Sequence, residues 1–279
     1  MRIALLSDIH GNLFALDAVL ADIAAQGGVD EYWILGDLVA IGPQPMAVLE
    51  RLQAFPNTRF TRGNTDVYIT TGDRPSPTSA DVVADVSRLP IFEEVAQTMA
   101  WTQGAIVATG WLPFLDALPL EQRLTLPDGT RLLGVHAAPG QDGGPGIRPD
   151  YPPAELEERV AGCDADLLCV GHTHWPMNVR IGATHVVNLG SVSNPQTPDL
   201  CAWYALLTAD TTGYQIQHRQ ADYDRAAVIA ALQAIRHPAK GHIVSYMQGA
   251  YVRSWALPHH QPPQQPTEAR DLCPTTTNA

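Results

Sequence analysis

The sequence predicts an α/β domain. Short apolar runs that end on polar residues or glycine recur along the chain, and segments of helical periodicity follow several of them. With 279 residues, 45% hydrophobic and 16% charged, the chain can also bury a large core as a single domain or a domain with an insertion. Residues 2–7 form the first such run, ended by polar residues and Gly11, and 13–26 then carry helical periodicity up to Gly27-Gly28. Glu31–Leu35 repeats the pattern with Gly36-Asp37 at its end and a helix expected over Pro45–Gln53. A third short strand, Thr58–Thr61, runs into Arg62-Gly63-Asn64.

From about residue 67 to 120 strand signals fade, and 79–88, 92–103 and 105–118 read as helices, so this stretch is taken as a small helical cap inserted into one domain spanning 1–257. Two strands over 124–126 and 131–135 flank the turn Pro127-Asp128-Gly129, and the second delivers His136. A glycine- and proline-rich loop (139–153), a helix over Pro153–Val160 and the apolar run Leu167–Val170 lead to Gly171-His172-Thr173-His174. Strand-rich stretches over 179–187 and 201–219 precede a last helix over 222–236. Residues 258–279 are rich in Pro, Gln and Thr and cannot bury enough surface to offset their ordering entropy, so a mobile tail is expected.

Seventeen basic against 29 acidic residues give a net charge of -12, which repels polyanions at long range and argues against an extended nucleic-acid surface. The four cysteines, Cys163, Cys169, Cys201 and Cys273, form no C-x-x-C pair and suit free thiols in a reducing compartment. The opening apolar stretch is too short for a signal peptide or a membrane span. A cytoplasmic location without a membrane partner is the expectation.

Taken one at a time, Asp8 and His10 two residues apart after a strand, Asp37, Asn64 and His136 are all ordinary turn residues. The pair His172 and His174 in one loop is a stronger signal, because imidazole is a preferred ligand of several transition metals. Position decides the matter: each of these groups stands at the downstream end of an expected strand, where open α/β sheets bind their ligands. A set of oxygen and imidazole donors without thiolate points to an open, catalytic site rather than a closed structural zinc.

Asp8-Ile9-His10, Gly36-Asp37, Gly63-Asn64-Thr65-Asp66, Val135-His136 and Gly171-His172-Thr173-His174 resemble, in order, the five motifs of calcineurin-like metallophosphoesterases. The resemblance covers about residues 1–236. Residues 7–13 and 187–192 are similar to a small bacterial and archaeal phosphodiesterase branch of that family. The resemblance implies a four-layer α-β-β-α sandwich of two mixed sheets with helices outside. It puts Asp8, His10 and His174 on one metal ion and Asn64, His136 and His172 on the other, with Asp37 as the bridge. The cofactors would be two divalent or trivalent transition-metal ions, drawn from manganese, iron, nickel, cobalt and zinc. Hydrolysis of phosphodiesters or activated phosphoesters by a hydroxide shared between the metals is then expected, with a nucleotide anhydride of the dinucleoside polyphosphate type as the alternative substrate. A metal- or nucleotide-binding regulator with little turnover is the reading from outside the enzyme class.

Arg62, next to the Gly-Asn loop, is expected to contact the substrate phosphate, against the alternative of a surface salt bridge. Asn64 borders the same substrate. Asn12 is assigned to substrate too, with capping of the following helix as its other reading. The sequence also departs from the family pattern. Many relatives carry a histidine after Gly-Asn as the general acid, where this chain has Thr65, and a threonine cannot donate a proton usefully near pH 7. Asp66 is then expected to cap the next helix, and the loop 193–197 lacks an arginine expected of close relatives. His185, His218, His237, His242, His259 and His260 are read as surface or tail residues, and Trp101 and Trp111 as packing.

Overall fold

The computed structural model describes residues 1–250 and 252; the expected tail over 258–279, with His259 and His260, lies outside them. Ten strands are described in chain order: β1 (Arg2–Leu6), β2 (Glu31–Leu35), β3 (Thr58–Thr61), β4 (Glu121–Thr125), β5 (Arg131–Val135), β6 (Leu167–Val170), β7 (Met177–Ile181), β8 (Thr184–Asn188), β9 (Ala202–Asp210) and β10 (Gly213–Ala221). They form two five-stranded mixed sheets, ordered β10-β9-β1-β2-β3 and β4-β5-β6-β8-β7. In the first, β1, β2 and β3 are parallel and β9 pairs antiparallel with β1. In the second, β5, β6 and β8 are parallel.

Alternation along the strands builds the layers. Ile3 and Leu5 of β1 and Trp33 and Leu35 of β2 meet Leu132, Leu167, Cys169 and Val187 of the second sheet in one buried cluster between the sheets. The sheets approach closely at Gly134, where a Cβ would come within 2.9 Å of Leu35 and 3.0 Å of Trp33. Ala4, Leu6 and Ile34 point the other way, into the first helical layer. Leu133, Val135, Leu168 and Val170 face the opposite outer layer. The result is the four-layer sandwich, and each fully buried leucine or isoleucine adds about 1.5–3 kcal/mol to holding it together.

The first helical layer contains α1 (Leu13–Ala25) and α2 (Pro45–Gln53). Asn12 caps α1, its side chain accepting from the Ala15 amide at 3.1 Å, and proline at the first position starts α2. Between β3 and β4 come α3 (Asn64–Thr71), α4 (Ser79–Ala84), a 3₁₀ turn (Val86–Arg88), α5 (Leu89–Ala108) and α6 (Leu112–Asp116). The sequence suggested two helices over 92–118, separated at Gly104. A single helix instead runs through Gly104, which faces open space and costs a helix only about 1 kcal/mol. The break falls at Gly110, whose φ of +78° ends the helix. Met99 and Ile106 of α5 and Leu115 of α6 join the same buried cluster as α1 and α2, and Trp111 packs edge-on against Phe114 at 5.7 Å.

The opposite outer layer holds α7 (Pro153–Val160), whose Val160 joins the cluster under the second sheet. After the last strand, α8 (Arg225–Ala234) and α9 (Lys240–Met247) close the first helical layer. His237 and His242, between and within them, are buried rather than on the surface. α5 receives both: Trp101 meets the His237 ring at 4.5 Å, and Glu94 lies 3.5 Å from His242. His185 and His218 are half-buried and bonded. Cys163 and Cys169 are free and buried, and Cys273 lies outside the described residues. Among the described residues no helix is long and apolar enough to cross a membrane.

Candidate metal centre

The parallel strands of both sheets deliver their downstream loops to one edge of the sandwich. β1 leads to Asp8 and His10, β2 to Asp37, β3 to Asn64, β5 to His136, and β6 to His172 and His174. Asp8, His10, Asp37, His172 and His174 all adopt left-handed backbone, with φ of 57°, 48°, 54°, 67° and 59°. That region is uncommon for residues with a Cβ and clusters at functional sites held by their surroundings. Here the holding is visible. The His10 amide donates to Asp37 O at 2.9 Å and the Asp8 amide to Gly36 O at 3.2 Å, so the first two loops fix each other.

The glycines of the motifs leave room for this approach. A Cβ on Gly171 would lie 1.9 Å from Ser7 Oγ and 2.5 Å from Asp8 Oδ2, and one on Gly63 would lie 2.2 Å from Asp37 Oδ1. No side chain fits either position.

The sequence-predicted donors converge. His10 Nε2 stands 3.8 Å from Asp8 Oδ1 and 3.7 Å from Asp37 Oδ2. His174 Nε2 is 3.1 Å from Asp8 Oδ1. His136 Nε2 is 3.4 Å from Asp37 Oδ2, 3.2 Å from Asn64 Oδ1 and 3.3 Å from His172 Nδ1. Asp8, His10 and His174 therefore form one group able to hold a cation, and Asp8, Asp37 and His136 another. The Asp37 carboxylate faces histidines of both.

Whether these residues suit metal ions is tested by the histidines' far sides. The outer nitrogens of three of them meet backbone carbonyls: His136 Nδ1 to Leu35 O at 2.8 Å, His174 Nδ1 to Asn194 O at 2.8 Å, and His172 Nε2 to Gly144 O at 2.7 Å. A carbonyl only accepts, so each outer nitrogen carries a proton, and each inner one can present a lone pair once a cation takes the place of any second proton. Yet His10 Nε2 and His174 Nε2 lie 3.2 Å apart. Lone pairs that close need a proton or a cation between them. Asp8 Oδ1 and His10 Nδ1 are also buried without a hydrogen bond. The donor set fits a metal centre.

Electrostatics agrees. Burial works against a charge on His136, but Asp37 and Asp8 outweigh it and lift the imidazole to about 10. The same field attracts a cation. Burial also opposes ionisation of Asp37, and His136 nevertheless holds it far below the usual carboxylate range. Burial first, with Asp37 second, raises Asp66 to about 7.

The residues around the donors divide. Arg62 donates from Nε to Asp142 Oδ2 at 2.6 Å. Asn12 is fully buried, and both ends of its amide are engaged inside the protein, one as the α1 cap and the other donating to Ser193 Oγ at 3.2 Å. Thr65 is buried, with its amide donating to Asp37 Oδ1 at 2.9 Å and its hydroxyl unpartnered. Asp66 caps α3 by accepting from the Gly63 amide at 3.0 Å. It also accepts from the Leu38 and Val39 amides, a tie across the Asp37 loop that the sequence did not disclose. The residues sequence reasoning missed act through backbone carbonyls, Leu35, Gly144 and Asn194, for which side-chain identity carries no signal.

Residues 1–212 match the Calcineurin-like phosphoesterase superfamily domain. An uncharacterised protein of Methanocaldococcus jannaschii, MJ0912, is 29% identical over 244 residues, which are 80% of this chain and 88% of that protein. The symmetrical bis(5'-nucleosyl)-tetraphosphatase of Serratia proteamaculans is 36% identical over 70 residues, 25% of either chain. Among solved structures, a metallophosphoesterase from Sphaerobacter thermophilus superposes with a TM-score of 0.69 at 26% identity, over 89% of this chain and 98% of that one. A hypothetical protein of Pyrococcus horikoshii, PH1004, shares the fold with a TM-score of 0.73 at 22% identity, over 88% and 97% of the two chains.

Proposed function

Because this chain belongs to the calcineurin-like phosphoesterase superfamily, we propose that it is a two-metal hydrolase of phosphodiesters and activated phosphoesters. The observation that carries the reading is the inward array of lone pairs, four imidazoles and two carboxylates, with three imidazoles fixed from behind by carbonyls. Asp8, His10 and His174 would hold one ion, and Asn64, His136 and His172 the other, with Asp37 between them. When bound, two such ions supply a water of lowered pKa and a clamp on the attacking and leaving oxygens.

The chain's own residues do the rest. Arg62 stands beside Asn64 and is suited to bind a phosphoryl oxygen through its guanidinium. The carbonyls of Leu35, Gly144 and Asn194 keep the imidazoles in one tautomer and one orientation. Thr65 offers no useful acid, so the leaving group departs with little help from that position. Esters whose leaving groups are stable anions are therefore preferred.

The 70-residue likeness to the symmetrical tetraphosphatases favours a second reading, cleavage of a nucleotide anhydride, since a phosphate leaving group also needs little protonation. Purified protein stripped of metal, then reloaded with manganese, iron, nickel, cobalt or zinc, should be assayed on aryl diesters, alkyl monoesters and dinucleoside polyphosphates. Hydrolysis of aryl diesters that appears only with bound metal is expected. Full activity in verified metal-free protein would sink the reading, and faster turnover of the anhydrides would select the second.

A further inference from the structure

Arg62 follows β3 of the first sheet and directly precedes Gly63-Asn64. Asp142 arrives from elsewhere, on the loop between β5 and α7, and accepts from Arg62 Nε at 2.6 Å. Both side chains are partly open to solvent, 41% and 27% exposed. The neighbours of Asp142 fix where its charge lies. Gly143 packs on Asn64, so close that a Cβ there would be 3.3 Å from Asn64 Cβ, and Gly144 O receives the His172 proton at 2.7 Å. The phenol of Tyr68, one helical turn beyond Asn64 on α3, is held above the ordinary range by burial and then by Asp37 and Asp142 in turn. The Asp142 carboxylate thus bears on the same small region as the metal donors.

The guanidinium most suited to a phosphoryl group is therefore already paired with an anion. We propose that Asp142 sets the charge preference of the centre: a phosphoryl oxygen must displace it from Arg62, and the displaced carboxylate remains nearby to repel surplus negative charge. This rests on the phosphoesterase reading above. A diester carries one negative charge at its phosphorus and a monoester close to two above its second pKa of about 6. With Asp142 in place the monoester meets the larger repulsion, on the order of 10-fold for one more unit charge at such range in a partly solvated site. Displacement requires no unpacking of the core. Gly140 and Gly144, with φ of 72° and 84°, flank Asp142, while Ile147 stays anchored, fully buried and bonded through its carbonyl to Asn188 at 3.2 Å.

The test compares wild type with Asp142→Asn, Asp142→Ser and Asp142→Glu, metal-loaded, at about pH 8, where the monoester is a dianion. The substrates are a diester and a monoester with the same 4-nitrophenyl leaving group, and inorganic phosphate is the inhibitor. In the Asn and Ser variants the diester-to-monoester ratio of kcat/KM should fall about 10-fold and phosphate should inhibit about 10-fold more tightly, while Glu restores the wild-type ratio. Two neutral variants guard against the misfolding of either. A ratio and a phosphate affinity within about twofold of wild type, even if both rates change together, would overturn the proposal and leave Asp142 as a strap for its loop. If wild type hydrolyses neither ester, the phosphoesterase reading fails on its own. Calorimetric binding of inorganic phosphate to the metal-loaded proteins then decides the role of Asp142, and unchanged binding in the neutral variants refutes it.

Discussion

Asp8, His10 and His174 on one side of the centre, and Asn64, His136 and His172 on the other, offer a cation similar donors in different frames. The first group is enclosed. Asp8 O accepts from Ser191 Oγ and the Ser193 amide, His174 leans on Asn194 O, and the His10 carbonyl accepts from the Gly42 amide at 2.7 Å. In the second group His136 is equally fixed, by Leu35 O, but His172 leans on Gly144 in the glycine- and proline-rich loop. That contact is solvent-exposed. Donor chemistry alone would predict two equal sites. The supports behind the ligands predict a tighter first site and a second that exchanges its ion more readily, because the groups that orient ligands tune affinity nearly as much as the ligands do.

The change with the largest expected effect erases the comparison. Asp37 faces both groups, so Asp37→Asn should release both ions and lower activity more than the roughly 100-fold upper range for losing a residue that only orients a ligand. Near-normal activity with two bound metals would show that Asp37 is no bridge.

Next come two glycine substitutions that separate the halves. Gly171→Ala puts a methyl group against Ser7 and Asp8. It should empty the first site and destabilise the fold by about 1–3 kcal/mol, the usual cost of overpacking. Gly146→Ala, at a φ of +66° and within 2.8 Å of the His172 ring and Thr173, should weaken only the second site, by about 10–100-fold. Elemental analysis after graded dialysis gives the occupancies. Equal loss of both ions from Gly146→Ala would mean the halves are not separately framed.

The smallest effect belongs to neither half and gives the baseline for pH studies of both. Burial holds the His237 imidazole down to about 4, so the folded protein keeps it neutral where the unfolded chain, near 6.5, takes up a proton. Its contribution to stability is present above about pH 6.5 and is lost as pH falls through about 4. His237→Gln should flatten the decline in unfolding free energy over that window in metal-free protein. An unaltered decline would assign it to other groups.

How far the sequence reads this centre follows from what kind of atom does each job. The candidate ligands are side chains at strand ends, so residue type and position were enough to single out Asp8, His10, Asp37, Asn64, His136, His172 and His174, which the fold brings to one edge of the sandwich. The parallel units over β1 to β3 were equally plain, because apolar run, glycine and helix repeat locally. The partners behind the ligands are carbonyls, and any residue has one, so nothing in the letters Leu35, Gly144 or Asn194 marks them. Asp66 was half legible: capping is a local pattern, while its bonds to Leu38 and Val39 depend on tertiary contact. His237 and His242 were misjudged for the same reason, since only α5 packing on the end of the chain buries them.

The place of β1 in its sheet also bears on how the protein is made. β1 has β2 on one side but takes its other neighbour, β9, from far downstream, and Asp8 is braced by Ser191, 183 residues away. A ribosome adding about 5–20 residues per second leaves the edge of β1 without that neighbour for on the order of 10 s or more. An apolar strand with an open edge is a template for unwanted pairing. Such a long-range closure also predicts slow folding. Nascent chains should therefore depend on chaperone cover until β9 emerges, and truncations ending before residue 202 should aggregate even though they carry all seven donors.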